Sequence, residues 1–247
     1  MYKNLIKLGY STAKNGFANE KDIADKFNNW KLDNEAQLWL QIMQYDLNEV
    51  EFVKAVILHN EKADINVQIT IKQKLAIDVE NIQVKLVSNK SGFNQIDKRW
   101  VNSYVKLWNI PENIAYLLKL FCGEVKSEII NKDRLFITDF SSKEQKEFLS
   151  FFDENKILIV NDILKGRGKF AAEWILVAQK INCNARWILK SMNEAINYYF
   201  ADGKVKISPR GSLKIGKITM QRKGGDNGRK TANMLQFKID PSELFDT

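Results

Sequence analysis

The chain has 247 residues, 45% of them apolar and 11% aromatic, with only three prolines, which excludes a disordered polymer and is length enough for one domain with a sizeable core. Two isolated cysteines, Cys122 and Cys183, exclude a disulfide framework and a zinc knuckle. No apolar run approaches the roughly 18 residues that span a bilayer, so a soluble, cytoplasmic protein without membrane contact is expected. The formal charge is +8, and its whole excess falls between residues 201 and 238, where Lys204, Lys206, Arg210, Lys214, Lys217, Arg222, Lys223, Arg229, Lys230 and Lys238 face only Asp202 and Asp226. Positive charge concentrated in this way is the footprint of a polyanion partner; a solvated basic face is the other reading.

A first helix is predicted from a cap at Asn19, with Ile23, Phe27 and Trp30 on one stripe. Leu38, Trp39, Ile42 and Met43 mark a second. Residues 56–58, 65–71 and 79–87 alternate and are β-branched, which predicts an antiparallel meander with polar turns at 59–62 and 72–78. Ile96, Trp100, Tyr104, Leu107 and Trp108 then line a helix that stops before Pro111. Ser141, Ser142, Glu144 and Gln145 open another helix in capping-box style, with Phe148, Phe151 and Phe152 on its apolar face. Strands are expected at 157–160 and 170–178, a helix at 185–200, and a final hairpin of 213–220 and 234–239 around a basic, Gly-rich tip at 223–229. The sum is a single α/β (α+β) domain over residues 1–247, a mixed sheet flanked by helices.

Several chemistries drop out. His59 is the only histidine, so two-histidine zinc sites are excluded and any histidine triad would hang on that residue. The stretch 224–231 lacks the lysine and glycine spacing of a phosphate-binding loop, and Lys165-Gly166-Arg167-Gly168-Lys169 does not continue as a dinucleotide fingerprint. That run reads as a basic turn, and no nucleotide cofactor is expected.

Gln83 and Lys85 lie two apart on a predicted strand and so project from one face. A turn centred near Leu75 would place Asp64 opposite Leu86 and beside Lys85. Asp64, Gln83 and the Val84 carbonyl offer hard oxygens to a Mg²⁺ that keeps some of its waters, with Lys85 placed to orient the attacking water and offset charge on the phosphate. Glu20 is a candidate auxiliary carboxylate, although helix-surface glutamates are more often solvated.

Further stretches carry a resemblance. NIQVKLVSNKSGFNQID at 81–97, QRKGGDNGRKTANMLQFKIDPSELFD at 221–246, TAKNGFANEKDIAD at 12–25, GRGKFAAEW at 166–174 and SPRGS at 208–212 are similar to the HinP-one-I kind of type II restriction endonuclease, which cuts GCGC. The likeness is weakest at 111–139. It implies a restriction-endonuclease-like core of the PD-(D/E)xK type with Gln in place of the acidic residue, Asp64, Gln83 and Lys85 being the matching positions. Ala63 stands where the general pattern has Pro and close relatives have Ser. The resemblance also implies that the loop and helix start at 90–98 lie at double-stranded DNA, where Asn94, Gln95 and Lys98 suit base edges and phosphates. Arg210, in the turn opened by Ser208, suits bidentate guanine contact, while Arg222, Lys223 and Arg229 suit the backbone.

The expected activity is Mg²⁺-dependent hydrolysis of DNA at a short palindrome, GCGC by resemblance, leaving 5′-phosphates. A DNA-binding protein that has lost cleavage and a structure-selective nuclease are the alternatives. A palindrome suits a homodimer, and a monomer that nicks each strand in turn is the other arrangement.

Overall fold

The computed structural model describes residues 2–59, 61–71, 76–224 and 229–247, with residues 2–13 and 76 described by their backbone. In chain order the elements are α1 (Tyr2–Asn28), α2 (Asn34–Ile42), β1 (Val50–Ile57), β2 (Ile65–Ile71), β3 (Ala76–Val87), β4 (Asn94–Arg99), α3 (Val101–Trp108), α4 (Glu112–Cys122), α5 (Ser142–Leu164), β5 (Trp174–Ile181), β6 (Asn184–Ser191), α6 (Met192–Phe200), β7 (Val205–Ile207), β8 (Leu213–Ile215), β9 (Ile218–Arg222) and β10 (Leu235–Ile239). Among the described residues, no helix is long and apolar enough to cross a membrane.

These elements form two compact units. One comprises Tyr10–Gly92, Lys165–Ala195 and Asp240–Thr247, the other Met1–Gly9, Phe93–Leu164 and Ile196–Ile239. Each contains one five-stranded sheet.

The first unit has strand order β1-β2-β3-β5-β6. β3 and β5 run parallel and the other pairs antiparallel, so the sheet is mixed as expected. Alternation places Val53, Ile65, Val67, Ile69, Ile82, Val84, Leu176 and Leu189 in one core with Ile23, Phe27 and Trp30 of the α1 region and Ala36, Trp39 and Leu40 of α2. Burying an aliphatic or aromatic side chain of this size contributes roughly 1.5–3 kcal/mol. The Phe27 and Trp39 rings meet at 5.2 Å. Asp33 caps α2 by accepting from the Ala36 N–H at 3.0 Å, and Lys26 holds its other oxygen at 2.9 Å.

The second unit has order β4-β10-β9-β8-β7, all antiparallel. Leu213, Ile215, Ile218, Met220, Leu235, Phe237 and Ile239 are buried. Phe237 packs edge-on against Tyr104 at 5.6 Å and Trp108 at 5.8 Å, both on α3. The polar tips of these aromatics are satisfied inside, with the Tyr104 hydroxyl donating to Asp97 at 2.6 Å and the Trp108 indole to Asp162 at 2.9 Å. Glu144 and Ser141 form the expected reciprocal cap of α5.

Several expectations change, among them the strand expected at 213–220, which a turn at Gly216 (φ +55) splits into β8 and β9, so that β9 and β10 form the final hairpin. The first helix starts far upstream of Asn19. Residues 96–99 lie on β4, because pairing with β10 outweighs the helical spacing of Ile96 and Trp100; a bulge between Phe237 and Lys238 breaks the alternation that would have revealed the strand. Residues 157–160 belong to α5, their apolar run continuing a helix that already carries the three phenylalanines. Residues 184–191 form β6, which returns along β5 through Asn182 at φ +53, and the helix begins only at Met192. α4 was not foreseen; Pro111 opens it and Gly123, at φ +75, closes it. The expected strand at 170–178 is found slightly later, as β5. Residue 60, residues 72–75 of the β2–β3 turn and residues 225–228 of the Gly-rich tip and of stretch 224–231 lie outside the described residues.

Candidate active site

The β2–β3 ladder sets the site. Ile65 pairs with Ile82 and Ile71 with Ala76, so the register differs by three from a turn centred on Leu75. Asp64 therefore lies across from Gln83, not Leu86. Its N–H donates to the Ile82 carbonyl at 2.9 Å, and its carboxylate Oδ2 accepts from the Val84 N–H at 2.6 Å. The ladder to β2 has ended at this point, and the Asp64 side chain takes the place of a strand partner. A residue's N–H and C=O point to the same side of a strand in antiparallel pairing, which directs the Val84 carbonyl to the Asp64 side as well.

Even-numbered Ile82 and Val84 enter the core, so Gln83 and Lys85 share the opposite face. Gln83 is 3% exposed, and its Nε2 donates to the Lys62 carbonyl at 3.3 Å. Its Oε1 is buried without a hydrogen-bond partner. A buried acceptor left unmatched costs about 1–3 kcal/mol. Glu20, on α1, is close enough for charge coupling: burial pushes its carboxyl up to about 7, the Asp64 charge adds to the rise and Lys85 opposes it. Asp64, Gln83, Lys85 and Glu20 thus gather in one unit.

Neighbouring segments hold the approach to Asp64. The Ala63 N–H donates to the Phe170 carbonyl at 3.2 Å. Gly166, at φ +78, lets the 165–170 turn pass so close to Lys62 that an added Cβ would stand 2.5 Å from Lys62 Cγ. Buried Asn81 donates to the Lys169 carbonyl at 2.8 Å and accepts from Asn66 at 3.0 Å. Gly166 of that basic run thus brings backbone close to the Asp64 loop. An amide-bearing residue on β3 next to a Gly-x-Gly turn carries no sequence signal of this packing.

Among the described residues, no three His, Cys, Asp or Glu side chains are grouped as a metal cage. The donor set is instead one carboxylate, one unmatched amide oxygen and one backbone carbonyl. That set fits a hard cation retaining water ligands, and the orphaned Gln83 Oε1 is the atom such an ion would satisfy.

The second unit carries the remaining candidates. Asn94, Gln95 and Lys98 lie on edge strand β4, which corrects the expected helix start. Arg210 is exposed at the β7–β8 turn. Ser208 builds that turn, its hydroxyl accepting from the Ser212 N–H at 3.1 Å and its carbonyl from the Gly211 N–H at 2.8 Å. Arg222 is engaged internally, donating to the Ala232 carbonyl at 3.1 Å and Asn233 Oδ1 at 2.7 Å. The Lys223 N–H donates to the Met234 carbonyl, and Arg229 is exposed at the start of the 230–233 turn.

The chain matches the family model of the R.HinP1I restriction endonuclease over residues 43–245. Among solved structures it is similar to the restriction endonuclease MspI in complex with its cognate DNA, with a TM-score of 0.66 and 14% identity over 94% of this chain and 92% of that one. No curated protein sequence matches. The family model spans well over half of the sequence, so the chain belongs to the R.HinP1I restriction endonuclease family and is a type II restriction endonuclease, a DNA-cleaving hydrolase.

Proposed function

We propose that the enzyme hydrolyses double-stranded DNA at GCGC with Mg²⁺, leaving 5′-phosphate and 3′-hydroxyl ends, and that both units act as one endonuclease. The observation that carries the reading is the buried, unmatched Gln83 Oε1 across from an Asp64 carboxylate anchored on the Val84 N–H. GCGC comes from the sequence resemblance, and the MspI complex supports duplex DNA as the partner.

Asp64, Gln83 and the Val84 carbonyl would hold the ion, which would supply Lewis acidity and an activated water. Asp64 is kept aimed by its 2.6 Å bond from the Val84 N–H. Lys85, on the same face as Gln83, orients the attacking water and offsets negative charge growing on the phosphate. Glu20 supplies a second carboxylate to this group.

The test is digestion of methylation-free plasmid by wild type with Mg²⁺, beside an EDTA control and Asp64→Ala, with product ends sequenced. Fragments ending at GCGC with 5′-phosphates, in the wild-type Mg²⁺ lane alone, are expected. Intact plasmid in every lane despite specific binding in a gel shift would sink the proposal, as would cutting at junctions regardless of sequence.

A further inference from the structure

The chain leaves β3 through residues 88–92, and side chains from two other parts of the first unit hold this segment. Gln179 of β5 pairs with Val87, so its side chain lies on the sheet face that carries Gln83 and Lys85. It is 4% exposed, and its Nε2 donates to two successive loop carbonyls, of Asn89 at 3.0 Å and of Lys90 at 3.2 Å. Its Oε1 accepts from Arg186 Nε of β6 at 2.7 Å, a charge-assisted bond, and the Arg186 guanidinium rests 4.1 Å from the centre of the Phe245 ring. At the end of the loop, Asp240 Oδ2 accepts from the Gly92 N–H at 2.9 Å, while Oδ1 accepts from the N–H and hydroxyl of Ser242. Residues 89–91 are exposed. A buried amide thus fixes a surface loop.

Fixing the carbonyls also fixes the N–H groups. A trans peptide directs its C=O and N–H to opposite sides, and no peptide bond among the described residues is cis. With the Asn89 and Lys90 carbonyls drawn in to Gln179, the Lys90 and Ser91 N–H groups point outward. Among the described residues, neither of these N–H groups donates a hydrogen bond. Two successive outward N–H groups, beside the exposed Lys90 side chain, suit the oxygens of one phosphate. The cleft on the inner side of the loop carries Asp240, Glu243 and Asp246 beside Arg186, so an anion is met on the outer side. Lys85 and Lys90 are five residues apart, at most about 18 Å of chain. Both therefore fall within reach of one stretch of DNA backbone.

We propose that Gln179 is a positioning residue of the nuclease: by holding the 89–91 loop, it aims the Lys90 and Ser91 N–H groups at a phosphate flanking the one that is cut. The proposal rests on double-stranded DNA as the substrate and adds a residue outside the group that gathers around Asp64. Holding a flanking phosphate aligns the reacting one with the attacking water, an effect read in rate rather than in affinity. Gln179→Glu separates the two ends of the amide, since a carboxylate of the same size keeps the Arg186 bond and cannot donate to the loop carbonyls.

The test uses the full-length protein and short duplexes carrying the site that plasmid digestion maps, each with a single phosphate replaced by a neutral methylphosphonate. Single-turnover cleavage is measured with Mg²⁺ at saturating DNA, and affinity with Ca²⁺ in its place. The wild type should slow about tenfold or more when one particular phosphate beside the scissile one is neutralised. Gln179→Glu should cleave unmodified duplex about tenfold or more slowly with affinity nearly kept, and neutralising that same phosphate should slow it no further. Arg186→Ala, at an exposed residue, should act in the same direction by a smaller factor. Gln179→Glu cleaving at the wild-type rate would overturn the proposal. So would a slow variant whose rate still falls at the same phosphate, since its defect then lies elsewhere in the fold. If Gln179→Glu does not fold, the same two outcomes decide through Arg186→Ala. A mapped site other than GCGC leaves these outcomes unchanged, whereas a wild type that cuts no duplex would overturn the DNA-cleaving reading as well.

Discussion

The two sheets have the same number of strands and opposite distributions of polar groups. In the mixed sheet, polar function is concentrated: Gln83 and Lys85 share one face of central strand β3, and Asp64 is bonded directly to that strand. In the antiparallel sheet it is spread over a whole face, where a row of paired residues, Gln95, Lys238, Thr219, Lys214 and Lys206, crosses all five strands. A reaction at one phosphodiester needs few groups held within tenths of an ångström, which a buried central strand provides. Contact with an extended polyanion needs many modest charges over a wide area. If this division of labour is correct, damage to the first sheet should affect turnover and damage to the second should affect folding or binding.

The largest expected effect is Asp64→Asn, which keeps an acceptor for the Val84 N–H and removes the carboxylate charge. Cleavage should fall roughly 10³-fold with duplex affinity largely kept; a matching loss of affinity would show that the two sheets do not divide the work. Next, Phe237→Ala opens the junction of Phe237 with Tyr104 and Trp108. It should cost about 3–5 kcal/mol in chemical denaturation, and a loss below ~1 kcal/mol would contradict the packing described. Gln83→Leu sharpens the comparison because its two readouts diverge. Cleavage should drop at least about a hundredfold, while stability holds or rises by up to ~1 kcal/mol because an unmatched buried acceptor has gone. Its counterpart Gln83→Glu should bind Mg²⁺ more tightly, and calorimetry showing equal affinity would argue against Gln83 as a ligand. The smallest effect is at Gly211, where φ is +71 and an added Cβ would stand 2.6 Å from Phe136 Cβ. Gly211→Ala should cost about 1–3 kcal/mol and displace Arg210, read as weaker DNA binding.

Legibility in the sequence followed the same division. The meander that carries Asp64, Gln83 and Lys85 was readable because its strands alternate cleanly and pack a β-branched face inward. Its register was misplaced, which depends on the length of a turn, and its first strand begins at Val50 rather than at 56. The second unit was harder to read. The bulge beside Lys238 shifts the phase of β4, so Ile96 and Trp100 imitate a helix. The first unit has its own misread strand, β6, which carries exposed and half-buried residues along most of its length and lacks a strict alternation. The 157–160 run looked like a strand because α5 leaves Ile157 and Leu158 exposed, apolar residues on the wrong side of an amphipathic helix. The row from Gln95 to Lys206 draws on residues from separate stretches of chain. Only the pairing of strands brings them together, and no local pattern encodes it.

The chain passes between the two units five times, so neither unit is a continuous stretch of sequence. β4 is separated from β7 through β10 by more than a hundred residues, which include β5 and β6 of the other sheet. A single recombination event in the gene cannot transplant either sheet intact into a relative, and no single proteolytic cut can release one. Exchanging either sheet between relatives would take several coordinated crossovers, whereas substitution in place leaves the scaffold whole.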